Sequence, residues 1–326
     1  MSVPPSRLLF GLVPWYSVLI VVGAALAVWL ASREEKIIPL PKDTIIDLAL
    51  YVLPIGILGA RLYYVAFSWE TFRRDPIRIL YIWEGGLAIY GGLIAGLLVI
   101  VVFCRHRKLS VRAVCDAVAP GVALAQSIGR WGNYFNQEAY GLPLRNPALC
   151  FFPLAVQINE GGTSVWHMAT FFYESLLDLV IFLFLLRARR RWFRRRGDVL
   201  FFYLFLYGAA RLVVENFRMD SLYAGRSVRI SQLLSLLCCI ALLIFYLHRS
   251  LLEERSLSPF ARLLACLAFL DSIPALLFCL GLSTWLPSVG GQALFLGLYS
   301  LLITLALFSV YGKSQPSEVL YAYHAT

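Results

Sequence analysis

Long apolar runs, each closed by a short polar or basic stretch, recur along this chain of 326 residues. A helix needs roughly 20 mostly apolar residues to cross the hydrocarbon core of a bilayer. Runs of that kind lie near 14–31, 45–67, 85–103, 113–129, 167–186, 199–217, 230–247, 261–282 and 290–311, the fourth and sixth with polar residues inside them. The pattern predicts an all-α, polytopic integral membrane protein with about seven spans followed by two extra C-terminal spans. The stretch 130–166 is too polar to span and rich in Gly, Pro and Asn, so it predicts a small external polar cap. Three parts follow: a membrane domain over 1–249, a two-span extension over 250–312, and a disordered tail over 313–326. The first run follows Arg7 as a signal peptide would, but its length, its Pro14 and Tyr16 and the later spans predict that it is retained.

Composition narrows the class. Apolar residues make up 60% of the chain and charged ones 15%, which excludes a soluble globular domain and a disordered chain. The net charge of +10 sits mainly in loops: Arg33, Lys36 and Lys42, then Arg105, Arg107, Lys108 and Arg112, then RARRRWFRRR at 187–196, then Arg249, Arg255 and Arg262. Every second loop is basic. The positive-inside rule puts those loops in the cytoplasm and the amino terminus and polar cap outside, against the vote of Arg73, Arg74 and Arg78. Anionic inner-leaflet lipid, not nucleic acid, is the expected partner of the basic loops. Seven cysteines show no C-x-x-C spacing, and four histidines form no ligand pattern. No motif asks for a metal, a nucleotide or another cofactor.

Charges inside apolar runs are expensive, about 2.5–3.5 kcal/mol for a mid-helix Arg on insertion scales, so each is a functional candidate. The densest polar cluster, GRWGNYFNQEAYG at 129–141, brings Arg130, Asn133, Asn136, Gln137 and Glu138 straight after an apolar run. That suits a polar headgroup handled at the membrane surface. In YGAARLVVENFRMD, Arg211 and Glu215 stand four residues apart on one helical face and can pair, with Arg218 and Asp220 continuing outward. A self-neutralising structural pair is the competing reading. Arg61 in the second run is either a partner of a functional residue or a side chain snorkelling to the interface. WEGGLAIYGGLIAG at 83–96 strips side chains from one stretch, for close helix packing or close approach of a ligand, with the phenol of Tyr90 beside Gly91 and Gly92. Tyr16, after Val-Pro-Trp, reads from position alone as an interfacial belt residue.

In chain order, WEGGLAIYGGLIAG, GRWGNYFNQEAYG, HMATFFYESLLDL at 167–179 and YGAARLVVENFR resemble the motifs of the prolipoprotein diacylglyceryl transferase family over roughly residues 8 to 249. The resemblance implies a bacterial cytoplasmic (inner) membrane enzyme. It would move diacylglycerol from phosphatidylglycerol to a lipoprotein cysteine, with prolipoprotein signal peptides and membrane lipid as partners. It further implies roles in binding and catalysis for Arg130, Asn133, Glu138 and Gly141, an essential pair in Arg211 and Glu215, and a functional tyrosine in Tyr16. Many members carry a His, proposed as the base, where this chain has Tyr90. A universal histidine base is therefore excluded. The two spans beyond residue 260 fall outside the usual pattern.

The implied chemistry is a thiol attacking a glycerol carbon, with glycerol phosphate leaving. Negative charge concentrates on the leaving phosphate, and guanidiniums can hold it through paired hydrogen bonds; Arg130 and Arg211 take that role. The substrate brings its own nucleophile. Glu138, Glu215 and Tyr90 are the candidate bases, with Tyr90 expected mainly to position the headgroup. Asn133, Asn136, Gly141, Gly91, Gly92 and Tyr16 complete the expected lipid-binding set. Two rivals remain: a secondary transporter for an anionic solute, and a catalytically silent relative that binds lipid or lipoprotein.

Overall fold

A computed structural model describes residues 6–35, 37, 38, 40–193, 195–224, 228–253, 257–282 and 288–313. The tail expected over 313–326 lies, from residue 314 onward, outside the described residues. A short hairpin, β1 (Leu8–Leu9) and β2 (Val13–Pro14), precedes α1 (Trp15–Glu34). Then come α2 (Thr44–Phe67), a single turn α3 (Trp69–Phe72), α4 (Ile89–His106) and α5 (Val111–Asn136). A hairpin of β3 (Ala155–Glu160) and β4 (Thr163–Met168) leads into α6 (Thr170–Arg191) and α7 (Asp198–Val214). The strand pair β5 (Tyr223–Ala224) and β6 (Val228–Arg229) precedes α8 (Ile230–Leu252), α9 (Pro259–Cys279) and α10 (Val289–Lys313). Among the described residues, seven helices are long and apolar enough to cross a membrane: α1, α2, α4, α5, α8, α9 and α10. The helix content and these seven apolar helices make this a polytopic all-α membrane protein. The fifth and sixth apolar runs became α6 and α7; α6 carries Glu174, Asp178 and a basic last turn, and α7 is only 17 residues long.

The contacts divide the chain into two compact bodies, one of residues up to Ala27 together with Ala119 onward, the other of Val28–Val118. In the second body α2 and α4 meet through glycine. A methyl group at Gly91 would lie 2.3 Å from the Gly59 carbonyl oxygen and 2.4 Å from the Tyr63 Cβ; one at Gly59 would lie 2.3 Å from the Ala95 Cβ. Backbones this close leave no room for any side chain, which gives the glycine-rich segment its packing role. The third apolar run does not begin as helix at residue 85. Gly85 and Gly86 take left-handed φ values of 85° and 68°, and α4 starts only at Ile89. Arg61 explains why: its guanidinium donates to the backbone carbonyls of Ile79 (3.0 Å), Gly85 (2.7 Å), Gly86 (3.2 Å), Arg78 (2.5 Å) and Tyr81 (3.3 Å). It is buried and does not snorkel. It replaces the backbone hydrogen bonds that an irregular segment beside a membrane helix lacks. Glu35 acts in the same way at the start of α2, accepting from the N–H groups of Asp43 and Ile45.

In the first body α1 lies against α5 through small residues. A Cβ at Gly121 would meet the Ala27 carbonyl at 2.8 Å, and one at Gly23 would meet Ala125 at 3.2 Å. The helices α6 to α10 surround a continuous core that includes Phe202, Phe205, Leu212, Leu236, Leu243, Tyr246, Tyr299, Ile303 and Leu307, all fully buried. α10 follows α7 along its length. The Tyr311 hydroxyl donates to Asp198 Oδ2 (2.8 Å) at one end, and Ser300 Oγ to the Ala209 carbonyl (3.1 Å) near the other. The buried Asp198 also accepts from Tyr246 (2.9 Å), so α7, α8 and α10 share one carboxylate.

Candidate active site

The signature stretch is more helical than its polarity suggested. α5 runs through Arg130 and Asn133 to Asn136, because nothing in RWGNYFN breaks a helix; it stops where Gln137 takes a φ of 53°. The chain then turns to pair with its neighbours. Gly141 N–H donates to the Met168 carbonyl (2.9 Å), its own carbonyl meets His167 Nδ1 (2.8 Å), and Leu142 N–H donates to the Phe217 carbonyl (2.9 Å). A Cβ on Gly141 would sit 2.7 Å from Thr170 Cγ2, 2.8 Å from Met168 Cβ and 2.9 Å from the Phe217 oxygen. Only glycine fits. Through Gly141 the end of α5, the hairpin β3–β4 and the turn after α7 are drawn together, and Gly141 bridges directly to Arg218.

That junction brings three arginines to one carboxylate. Glu174 on α6 receives Arg130 Nη1 at Oε2 (2.8 Å), Arg218 Nη1 at the same oxygen (2.9 Å) and Arg211 Nη1 at Oε1. Arg211 Nη2 also meets Glu215 Oε2 at 2.8 Å, the pair expected from their four-residue spacing, although Glu215 itself opens a 3-10 turn rather than ending α7. Arg218 Nη2 reaches Asp220 at 2.6 Å, and Arg130 Nε stands 4.0 Å from Asp178, one turn beyond Glu174 on α6. Glu215 has no exposed surface, and Glu174 and Asp178 have 5% and 3%. Desolvated charges persist only with close counter-ions, which this lattice of guanidinium and carboxylate supplies. A cleft of about 220 Å³, its open side included, is lined by Arg130, Glu174, Leu177, Asp178, Tyr207, Ala210, Arg211 and Val214. Tyr207 hydrogen-bonds Arg130 there.

A second polar group adjoins the first along α5. Asn133 and Asn136 both donate to Glu138 Oε1, at 2.9 and 3.3 Å, and Arg7 reaches Asn136 at 3.4 Å. Tyr16 feels the charges of both Glu138 and Arg130, and its ring leaves Gly132 no room for a Cβ, which would lie 2.5 Å from Tyr16 Cδ2. The first body therefore gathers Arg130, Arg211 and Glu215 in one cluster, with Asn133, Asn136, Glu138 and Tyr16 beside Arg130. Tyr90, Gly91 and Gly92 lie on α4 in the other body.

Sequence reasoning passed over Glu174, Asp178 and Tyr207, and treated Arg218 only as an outward continuation. A signal was present: Glu174 and Asp178 are two carboxylates four residues apart inside an apolar run, as costly there as any arginine. Among the described residues no cluster of three or more His, Cys, Asp or Glu is arranged to hold a metal ion.

Comparison with known proteins bears out the family resemblance. The family model described as prolipoprotein diacylglyceryl transferase matches residues 8–248. The phosphatidylglycerol–prolipoprotein diacylglyceryl transferase of Enterococcus faecalis is 44% identical over 245 residues, 74% of this chain and 88% of the relative. The protein of that name from Lactobacillus acidophilus is 42% identical over 244 residues, covering 73% and 86%. That from Halalkalibacterium halodurans is 41% identical over 252 residues, covering 75% and 86%. The match takes in α1 to α8 almost completely and leaves out α9 and α10. A match of that extent, on relatives spanned nearly end to end, makes this chain a member of the prolipoprotein diacylglyceryl transferase family.

Proposed function

We propose that this protein transfers the diacylglyceryl group of phosphatidylglycerol to the thiol of the lipobox cysteine of prolipoproteins, releasing glycerol phosphate in the first step of lipoprotein maturation. The reading places it in the bacterial cytoplasmic membrane, with its amino terminus and the segment 130–166 outside. The observation that carries it is the convergence of Arg130, Arg211 and Arg218 on the one carboxylate of Glu174, with Arg130, Arg211 and Glu174 lining a cleft between α5, α6 and α7.

A phosphodiester placed at that point meets guanidinium donors from more than one side. As the bond from the glycerol carbon to the phosphate oxygen lengthens, charge builds on that oxygen, and donors already in place stabilise it without reorganising. Leu177 and Val214 give the cleft an apolar side, and a lower local dielectric there strengthens each of these interactions. Asn133, Asn136, Glu138 and Tyr16 offer donors and acceptors to the glycerol hydroxyls next to the phosphate. The acyl chains remain in hydrocarbon. The membrane domain of this reading is 1–249, with α9 and α10 as an extension docked on α7 and α8.

The test is reconstitution. Purified protein in phosphatidylglycerol nanodiscs, given a lipobox peptide, is expected to yield a thioether-linked diacylglyceryl peptide and glycerol phosphate by mass spectrometry. A peptide left unmodified by well-folded protein, with uptake of an anionic solute into vesicles, would point to the transporter instead.

A further inference from the structure

The proposed reaction leaves one proton and one carboxylate unexplained. The thiol must lose a proton, and Glu174 sits where the phosphate should go, held by all three arginines. We propose that Glu174 is the resident anion of the headgroup site and the proton acceptor of the reaction: the lipid phosphate displaces it from the arginines, and the displaced carboxylate then takes the proton of the attacking thiol. The inference rests on the proposed function and goes beyond it by naming both a competitor for the phosphate and the base.

Three observations carry it. First, a carboxylate receiving guanidiniums at both oxygens has the donor arrangement that a phosphate anion needs, so the two compete for one site. Second, Glu174 lines the cleft itself, together with Arg130 and Arg211, so a displaced side chain stays beside the reacting groups. Third, Asp178 stands one turn away on the same helix and 4.0 Å from Arg130 Nε, so that guanidinium keeps a carboxylate beside it when Glu174 lets go. Opposite charges hold a carboxylate ionised, and a buried carboxylate that loses them favours its protonated form.

The step balances. The sulfur–carbon bond forms, the carbon–oxygen bond to phosphate breaks, and its electron pair stays on the phosphate oxygen. The thiol proton moves to Glu174. The phosphate goes from one negative charge to two while the carboxylate goes from one to none. The summed charge of phosphate and carboxylate is the same before and after the chemical step, so that step adds no net charge to the site.

The experiment uses the full chain in nanodiscs. Glu174→Gln keeps the shape and removes the charge. Glycerol phosphate, measured by isothermal titration, is expected to bind the variant at least tenfold more tightly than wild type. Turnover with a cysteine peptide is expected to fall at least a hundredfold. A lipobox peptide carrying selenocysteine, ionised at neutral pH without help, is expected to restore most of that loss. Weaker glycerol phosphate binding would make Glu174 a scaffold for the arginines and overturn the proposal, as would failure of the selenocysteine peptide to rescue. If Glu174→Gln does not fold, wild type carries the test. A working base predicts only a few-fold gain from selenocysteine over cysteine, and a hundredfold gain would rule the base out. Wild type that makes no thioether from phosphatidylglycerol would instead defeat the function itself.

Discussion

Replacing Arg211 by lysine asks whether the site works by charge alone or by the geometry of a fork. Arg211 uses two nitrogens at once, Nη1 on Glu174 and Nη2 on Glu215, 2.8 Å away. A lysine keeps the positive charge but brings it as a single point on a flexible stem, so it can serve one carboxylate and not both. Glu215 is fully buried, and withdrawing the partner of a buried ion costs about 3–5 kcal/mol. The fold can recover part of that by letting lysine sit nearer Glu215, which takes it away from Glu174 and the phosphate. In the transition state one preorganised donor to the leaving oxygen is then missing, worth about 2.7–4 kcal/mol, or roughly a hundred- to a thousandfold in turnover. The affinity for phosphatidylglycerol should change much less, because the net charge of the cluster is kept. The assay is initial rate against lipid concentration in nanodiscs, with thermal unfolding in detergent to confirm that the variant is folded. An Arg211→Lys protein within about fivefold of wild type would mean that the fork geometry is irrelevant and that Arg211 does not face the leaving group.

Three further outcomes test other parts of the argument. Gly141→Ala must push a methyl against Thr170, Met168 and the Phe217 carbonyl, so it should lower stability by about 1–3 kcal/mol and turnover with it; an unchanged melting temperature would remove the packing explanation. Tyr311→Phe removes the single hydroxyl donor that Asp198 accepts at 2.8 Å, with the Trp192 carbonyl 3.1 Å from the same oxygen, and should cost about 1–3 kcal/mol of thermal stability, while a neutral result would detach α10 from α7. Tyr90→Phe should keep turnover within a few-fold of wild type; abolished turnover with phosphatidylglycerol binding intact would return the phenol to the list of bases.

Most of the fold was legible because a bilayer leaves the chain few choices. An apolar run near 20 residues long either spans or is buried, and the nine runs did become the nine long helices among the described residues. Helix ends were less legible, since hydrophobicity says little about them. α5 outran its apolar stretch by two turns, which moved Arg130, Asn133 and Asn136 from a presumed cap onto a rigid helix. The start of α4 slipped the other way, because the carbonyls of Gly85 and Gly86 are engaged by Arg61 from a distant part of the sequence. The hairpin β3–β4 was hidden in a segment read only as polar, although Gly161-Gly162, both with positive φ, between alternating residues is a hairpin signal. Glu174 was missed for a different reason. Its partners lie 44 residues away on either side, at Arg130 and Arg218, and 37 away at Arg211, so no local spacing announces the cluster.

The same cluster shows why such a site pairs its arginines with acids at all. Three guanidiniums this deeply buried would be too costly to desolvate unless anions accompanied them, and the lipid phosphate is absent between turnovers. Glu174, Glu215 and Asp220 supply the anions from within the chain, with the Asp178 carboxyl 4.0 Å from Arg130. Those acids cannot all be permanent, or the phosphate would find the nitrogens that converge on Glu174 taken. One carboxylate has to be able to leave. Glu174 is the carboxylate that holds all three arginines and lines the cleft, so the group that makes the folded site stable is also the one substrate binding must dislodge. A variant that strengthens lipid binding while weakening turnover is therefore the signature to look for at Glu174, whereas at Glu215, which lies outside the cleft lining and is fully buried, both should fall together.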